Sequence, residues 1–223
     1  MSDDMEKNVT GLNELLAGFA AGTLAEPAQA LVGAHLELSK QNRDYVASLE
    51  DLAGFGIEEA QPVALSDRDK ALAEIFASNA ISVDMANASD FRGNQSHDPQ
   101  MPDSLKDIVG KPLDALPWKT LLPGVKECKF GEVDGCAASL LWVRAGRAMP
   151  SHTHEGTELT LVLQGGFRDE DGHFVRGDIA FADHEVDHRP IADDDEDCIC
   201  FAVTEGSLRL TGPVGRFFAP FMR

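Results

Sequence analysis

The sequence lacks a long apolar run and an apolar leader. No stretch of its 223 residues approaches the roughly 20 consecutive apolar residues that a membrane-spanning helix needs. Residues 1–6 are acidic and lead into no apolar segment of the kind found in signal peptides. These absences predict a cytoplasmic protein.

Positive charge is also scarce. The chain has 38 Asp and Glu residues against 19 Lys and Arg, which gives a formal net charge of -19. Phosphate groups repel such a surface, and this argues against nucleic acid as a direct ligand. A basic protein partner and a merely well-hydrated acidic surface are both compatible with the charge.

Cysteine is sparse, and its spacing contains no zinc-finger motif. The four cysteines, Cys128, Cys136, Cys198 and Cys200, form no C-x2-C pair. Disulfides are rare in a reducing cytoplasm, so we expect buried core thiols. Cys198 and Cys200 share one face of an apolar stretch, and a redox role for them is the alternative.

Against this background, a histidine-rich stretch stands out at residues 151–158. It alternates like a strand, and side chains two apart on a strand project from the same face. His152, His154 and Glu158 are separated by even numbers of residues. The pattern therefore predicts one strand, continuing to Gln164, that presents all three side chains on one face. Two imidazoles and a carboxylate on one face make most of a divalent-metal site.

A His-x-His pair is weak evidence by itself, but the surrounding spacing is more specific. Gly146 lies six residues before His152, and Gly165 lies seven after Glu158. With His154, these residues fill every position of a pattern that resembles the first cupin motif, G-x5-H-x-H-x3-E-x6-G. The resemblance implies a β-barrel with a metal site inside it.

A cupin also needs a third histidine from a facing strand. Gly177 and Asp178, followed by His188, resemble the second cupin motif, although its middle departs from the usual pattern. We assign the fourth ligand to His188, with His184 as the weaker alternative. His173 is expected to be a solvated loop histidine.

The chain divides into a helical front half and a β-rich rear half. Apolar spacing predicts helices over 9–23, from Glu26 to Leu52 with a stop at Gly54 and Gly56, and after Ser66. Short apolar runs separated by turns predict an all-β domain over 105–223. The fold class is α+β in two domains: a small helical bundle (1–80), a linker (81–104) and a cupin jelly-roll barrel (105–223).

Three short helices barely enclose a core. Part of their apolar surface could therefore serve a partner, although a plain bundle without a partner fits the periodicity equally well.

Longer segments resemble the ChrR-type zinc anti-sigma factors, in which an N-terminal anti-sigma domain precedes a cupin domain. The resemblance covers nearly the whole chain and is more specific than a generic cupin signature. It is carried by residues 154–165, 167–170, 188–190, 197–200 and 219–221, and in the front half by residues 19–24 and the helix that bears His35.

One departure from the family is important. The resemblance implies a second zinc in the anti-sigma domain, held by an upstream His and an H-x3-C-x2-C motif. The corresponding residues here are Thr10, His35, Ser39 and Asn42, and only His35 is a good zinc ligand. We predict no zinc in this domain, so packing must replace the roughly 10 kcal/mol that a structural zinc can supply.

The resemblance implies an anti-sigma factor without catalytic residues. Its helical domain would sequester an extracytoplasmic-function sigma factor, and its cupin domain would sense a stress signal such as singlet oxygen or an organic peroxide. One divalent metal, zinc with iron, manganese or nickel as alternatives, is expected on His152, His154, Glu158 and His188. The alternatives are a metal-dependent cupin dioxygenase or isomerase, and a metal-cupin sensor that has lost its sigma partner.

Overall fold

The computed structural model describes residues 11–63, 66–77 and 101–211, with the backbone alone at Gln41. Predictions for Thr10, residues 78–100 and residues 219–221 lie outside the described residues. The helices are α1 (Leu12–Ala20), α2 (Glu26–Leu38), α3 (Lys40–Glu59), α4 (Arg68–Ala77) and a short α5 (Lys106–Val109), with 3₁₀ turns at Asp103–Leu105 and Leu113–Ala115.

The rear part of the chain is built from antiparallel strands. They are β1 (Lys119–Leu122), β2 (Val125–Val133), β3 (Cys136–Val143), β4 (His152–His154), β5 (Glu158–Gln164), β6 (Gly166–Arg168), β7 (His173–Val175), β8 (Ile179–Ala182), β9 (Ile191–Ala192), β10 (Cys198–Glu205) and β11 (Leu208–Leu210). They form a six-stranded sheet in the order β1-β2-β3-β10-β5-β8, a three-stranded sheet β7-β6-β9 and a pair β11-β4. The fold is therefore N-terminal helices followed by a cupin-like β-structure, as the sequence predicted.

The prediction of one long second helix is wrong. The backbone becomes extended at Ser39 (φ -107°, ψ 113°), which separates α2 from α3. Serine is a poor interior helix residue, and an apolar stripe alone does not reveal that preference. The stop expected at Gly54 and Gly56 is also wrong, because α3 continues through both glycines to Glu59. A glycine costs an exposed helix only about 1 kcal/mol.

Two hydrophobic cores lie on opposite faces of the six-stranded sheet. The inner core lies between this sheet and the three-stranded sheet and contains Val162, Phe167 and Cys200. The outer core contains Leu161 and Phe201 of the same central strands. Strands β5 and β10 are thus buried on both faces, which explains why their sequences are largely continuous apolar runs.

Helices α1 and α2 cover the outer face of the sheet. Leu16 of α1 and Leu31 of α2 lie in the same buried cluster as Leu161 and Phe201. These helices therefore do not enclose a core of their own. They share one with the β-structure, which stabilises both parts together.

The chain that follows the undescribed segment is folded against α2. The Glu37 carboxylate accepts hydrogen bonds from the backbone nitrogens of Asp103 (2.7 Å) and Ser104 (2.8 Å). Residues 101–104, which the sequence assigned to the linker, are thus part of the folded structure. Among the described residues, no helix combines the length and apolarity that crossing a membrane requires.

Candidate metal centre

The strand expected to carry His152, His154 and Glu158 is in fact two strands. Strand β4 ends at His154, the chain bends at residues 155–156, and β5 begins at Glu158. Strand β4 pairs with β11, whereas β5 pairs with β8 and β10. The prediction of one continuous strand is therefore wrong, and the three side chains meet because a turn joins two sheets.

The turn depends on a close backbone approach at Gly156. A Cβ atom at this position would lie 2.5 Å from the carbonyl oxygen of Glu205, closer than any real Cβ contact. The Glu205 backbone nitrogen also donates to the Thr157 carbonyl oxygen at 2.8 Å. A glycine is thus needed where the chain passes from one sheet to the other.

The structure brings all four sequence-predicted ligands together. The His188 Nε2 atom lies 3.1 Å from His152 Nε2 and 3.4 Å from His154 Nε2. Glu158 Oε2 lies 3.3 Å from His154 Nε2 and 4.0 Å from His188 Nε2. One ligand atom from each residue falls within 4.8 Å of all the others, and all four residues are buried.

The outer ring nitrogens orient two of the imidazoles. His152 Nδ1 donates to the Pro150 carbonyl oxygen at 2.8 Å, and His188 Nδ1 donates to Asp169 Oδ2 at 3.2 Å. With the proton on Nδ1, each Nε2 presents its lone pair to the cluster. The backbones of His152 and His188 are joined by two hydrogen bonds of 3.1 Å, which hold the loop of the third histidine against β4.

The protonation states of the metal-free cluster are set by burial and by charge. Burial lowers the pKa of His152 and of His154 to about 4, so both are neutral near pH 7. Burial also lowers the pKa of His188, but the hydrogen bond to Asp169 and the charge of Glu158 outweigh it and raise that pKa. Burial raises the pKa of Glu158 to about 7. A cation entering the cluster would therefore displace a proton.

The donor set fits a divalent metal. Bonds of 2.0–2.1 Å in a tetrahedral arrangement place neighbouring ligand atoms about 3.3 Å apart. Three contacts among these atoms, of 3.1, 3.4 and 3.3 Å, are close to that spacing, whereas Glu158 Oε2 and His188 Nε2 lie farther apart, at 4.0 Å. Three imidazoles and one carboxylate suit zinc and also iron, manganese or nickel. The cluster could hold a metal of this group.

The other histidines of this part of the chain and the four cysteines are not members of the cluster. His184, the weaker candidate for the fourth ligand, is exposed, and exposed His173 contacts Asp193 at 2.7 Å. All four cysteines are buried free thiols, as predicted. The sulfur atoms of Cys198 and Cys200 lie 3.5 Å apart on the inner face of β10.

Sequence reasoning missed Asp169, whose carboxylate contacts His188. The only signal was that residues 167–170 belong to the segments that resemble the anti-sigma family. A residue that contacts the outer nitrogen of a histidine can be recognised only when the distance between the two side chains is known.

His35 stands at a position where the family resemblance implies a zinc ligand, and it is buried. Its Nδ1 donates to the Gly177 carbonyl oxygen (2.6 Å), and its Nε2 accepts from the Asn42 side-chain amide (2.7 Å). Both ring nitrogens therefore have hydrogen-bond partners. The contact to Gly177 joins α2 to the turn that precedes β8.

The fold and the cluster define a class: a cupin-like protein with a three-histidine, one-glutamate cluster and N-terminal helices packed on its main sheet. Residues 106–208 match the ChrR cupin-like domain family. The anti-sigma-E factor ChrR of Cereibacter sphaeroides is 39% identical over 209 residues, which cover 94% of this chain and 95% of that protein.

A solved structure agrees over both parts of the fold. The crystal structure of Rhodobacter sphaeroides SigE in complex with the anti-sigma ChrR matches with a TM-score of 0.72 and 40% identity, covering 86% of this chain and 96% of that chain. The protein belongs to the ChrR family of anti-sigma factors. Its relative is a regulator and not an enzyme, which favours the regulatory prediction over the cupin-enzyme alternative.

Proposed function

We propose that this protein is a cytoplasmic anti-sigma factor that sequesters an extracytoplasmic-function sigma factor through its helical region. In this proposal residues 1–80 bind the sigma factor, and residues 81–104, of which 101–104 are folded against α2, connect them to the cupin part. The cupin part over 105–223 holds one zinc ion. His152, His154, Glu158 and His188 are the proposed ligands. The bound metal serves the sensing of a stress signal such as singlet oxygen or an organic peroxide.

The observation that carries the sigma-binding proposal is an exposed apolar surface on α3 and α4. Val46 is the last buried residue of α3, and the helix continues into solvent beyond it. Leu52 on that part is 69% exposed, and Phe76 on α4 is 83% exposed. Several large apolar side chains on two exposed helices are typical of a surface that a partner covers. The set comprises Leu52, Phe55, Ile57, Ile75 and Phe76.

Charge supports a basic partner. The net charge of -19 would steer a protein with basic polymerase- and DNA-binding surfaces towards this one. Such steering accelerates association, whereas the apolar side chains supply affinity. The two features together fit a sigma factor better than they fit a small-molecule ligand.

A matched pair of variants tests the sigma-binding surface. Leu52→Asp adds a charge to α3, and Leu121→Asp makes the same change on β1, where Leu121 is 40% exposed. Each full-length chain is co-purified with the sigma factor encoded nearest to its gene. We expect Leu52→Asp to lose capture and Leu121→Asp to retain it. Equal capture by both variants would contradict the proposed surface.

A second matched pair tests the metal. The double variant His154→Ala, His188→Ala removes two cluster ligands, whereas His173→Ala, His184→Ala removes two exposed histidines. Elemental analysis should find one zinc per chain in the wild type and in the exposed-site control, and none in the cluster variant. A full equivalent in the cluster variant would refute the ligand assignment. A redox-active metal in place of zinc would revive the dioxygenase alternative.

The sensing role is tested on the assembled complex. Exposure of the complex with the sigma factor to an organic hydroperoxide should release the sigma factor from the wild-type chain. The His154→Ala, His188→Ala variant should retain it, because the proposed sensor lacks its metal. Equal release from both chains would show that the signal is read elsewhere.

A further inference from the structure

The third histidine of the cluster is held differently from the other two. His152 and His154 lie on β4, whose register is set by pairing with β11. His188 lies between β8 and β9 and makes only an isolated bridge to His152. A bridge fixes the backbone of His188 but not the direction of its ring. The direction of the ring is set by the partner of its Nδ1 atom.

That partner is Asp169, at the end of β6. Its Oδ2 atom accepts from His188 Nδ1 at 3.2 Å, and its side chain is only 2% exposed. Its other oxygen, Oδ1, accepts from the backbone nitrogens of Asp171 (3.0 Å) and Gly172 (3.2 Å). The turn between β6 and β7 thus fixes the carboxylate from one side, and the carboxylate fixes the imidazole on the other.

We propose that Asp169 is the positioning residue of the metal centre, which it serves by aiming the Nε2 lone pair of His188 into the ligand cluster. This inference rests on the proposed metal-binding function. A metal-bound histidine typically donates its other ring N–H to an oxygen that fixes its tautomer and orientation. Asp169 makes that contact, and it is anchored by two further donors before any metal binds.

The charge of the Asp169 carboxylate supports the same role as its position. A dication with three neutral imidazoles and the Glu158 carboxylate has a net charge of +1. The second carboxylate, on Asp169, neutralises that charge through the His188 ring. Because the site is buried, an uncompensated charge there would be costly. Asp169 therefore compensates the charge of the occupied site.

An asparagine cannot replace Asp169. Oδ1 and Oδ2 both accept hydrogen bonds, from the turn backbone and from His188 respectively. An amide has one acceptor oxygen and one donor nitrogen. In Asp169→Asn the NH2 group must therefore face a donor, either in the turn or on His188. The isosteric variant thus disrupts the contact without changing its size.

A neighbouring acid provides the control. Glu170 lies in the same turn, and its carboxylate accepts from the Arg189 backbone nitrogen at 3.2 Å. Glu170→Gln removes the same charge from the same turn without touching an imidazole. Any loss shared by the two variants would reflect general charge, and any loss confined to Asp169→Asn would reflect the contact with His188.

The test measures Zn²⁺ affinity of the full-length chain by competition with a chromophoric chelator, and the visible spectrum of the Co²⁺-substituted chain. We expect Asp169→Asn to weaken Zn²⁺ binding by about 10- to 100-fold and to shift the Co²⁺ bands, because removal of such an outer partner typically has this effect. Glu170→Gln should match the wild type in both measurements. Wild-type affinity in Asp169→Asn, or an equal loss in Glu170→Gln, would overturn the inference.

Two checks keep the result interpretable. If metal-free Asp169→Asn does not fold, Asp169→Ser replaces it, since serine can still accept from the turn but does not reach His188; it should show the same loss. Failure of the wild-type chain to bind Zn²⁺ would instead overturn the proposed metal function. Tight Zn²⁺ binding by both the wild type and the Asp169 variants is a different outcome, and it would overturn the positioning role alone.

Discussion

At the scale of single residues, His35 is buried and both of its ring nitrogens have hydrogen-bond partners. The ring donates to Gly177 and accepts from Asn42, so it is satisfied only when it is neutral. A proton on Nε2 would face the Asn42 amide, which is also a donor. Burial lowers the pKa of His35, and it outweighs the opposing effects of the Gly177 contact and of Asp178.

This lowered pKa makes stability depend on pH in a defined direction. The unfolded chain binds a proton at His35 near pH 6.5, whereas the folded chain binds it only at lower pH. The stability contributed by neutral His35 is therefore complete above pH 6.5 and is lost as the pH falls towards the folded pKa. We expect urea unfolding of the metal-free wild type to lose free energy below this pH more steeply than that of His35→Gln.

The comparison isolates one histidine. His152 and His154 also have lowered pKa values and destabilise the fold on acidification, but they are present in both chains. The difference in slope therefore reports His35 alone. Parallel slopes would mean that His35 is not buried as a neutral ring in solution.

Sequence spacing could identify the four residues of the cluster but not the side chains that orient them. His152, His154, Glu158 and His188 stand at characteristic intervals, which a linear motif records. Asp169 lies 19 residues before His188, and no local motif predicts a contact between them. For the same reason, hydrogen bonds could not be predicted for His35, since its partner Gly177 lies in the other part of the fold.

At the scale of elements, the turn between β4 and β5 determines whether the ligands meet. His154 and Glu158 are an even number of residues apart, so both would face the same side of an unbroken strand. Periodicity therefore could not distinguish an unbroken strand from a bend. The same limitation hid the break at Ser39, because the apolar stripe continues on both sides of it. The buried strands β5 and β10 were predictable, since burial on both faces leaves a continuous apolar run.

The Gly156 turn yields a direct prediction. Gly156→Ala places a methyl group 2.5 Å from the Glu205 carbonyl oxygen, so the turn must shift and separate β4 from β5. Strain of this kind typically costs about 1–3 kcal/mol, and we expect a lower melting temperature and weaker Zn²⁺ binding. Gly54→Ala in α3 is the control, because nothing lies within 4 Å of the added methyl group. A variant at Gly156 that melts and binds like the Gly54 control would contradict this role for the turn.

At the scale of the whole molecule, helices α1 and α2 share one buried core with the β-structure. The sequence predicted two domains, because helical and strand periodicities change abruptly along the chain. It could not show that the apolar faces of α1 and α2 pack on the sheet, since amphipathic helices look alike whatever covers them. The buried cluster that contains Leu16, Leu31, Leu161 and Phe201 belongs to both parts.

This shared core limits how a signal can travel. The apolar surface proposed for the sigma factor lies on α3 and α4, whereas α2 contacts the β-structure through its core residues and through His35. Gly177 precedes β8, and β8 pairs with β5 at Glu158. A change at the proposed metal ligands thus has a short physical connection to α2. Coupling of this kind requires two packed arrangements, and a cooperative core favours discrete states over gradual deformation.

Cooperativity can be measured with the chain's own reporters. Both tryptophans, Trp118 and Trp142, lie in the rear part, whereas α1–α4 dominate the helical signal in circular dichroism. Unfolding of a shared core should give coincident urea transitions by tryptophan fluorescence and by ellipticity at the helical minimum.

Leu31→Ala removes a fully buried side chain from α2 and should lower the free energy of unfolding by about 2–5 kcal/mol. The fluorescence transition should move with the helical one, although no tryptophan lies in α2. If Leu31→Ala shifted only the helical signal, the helices would unfold independently, and sigma release would then require no rearrangement of the barrel.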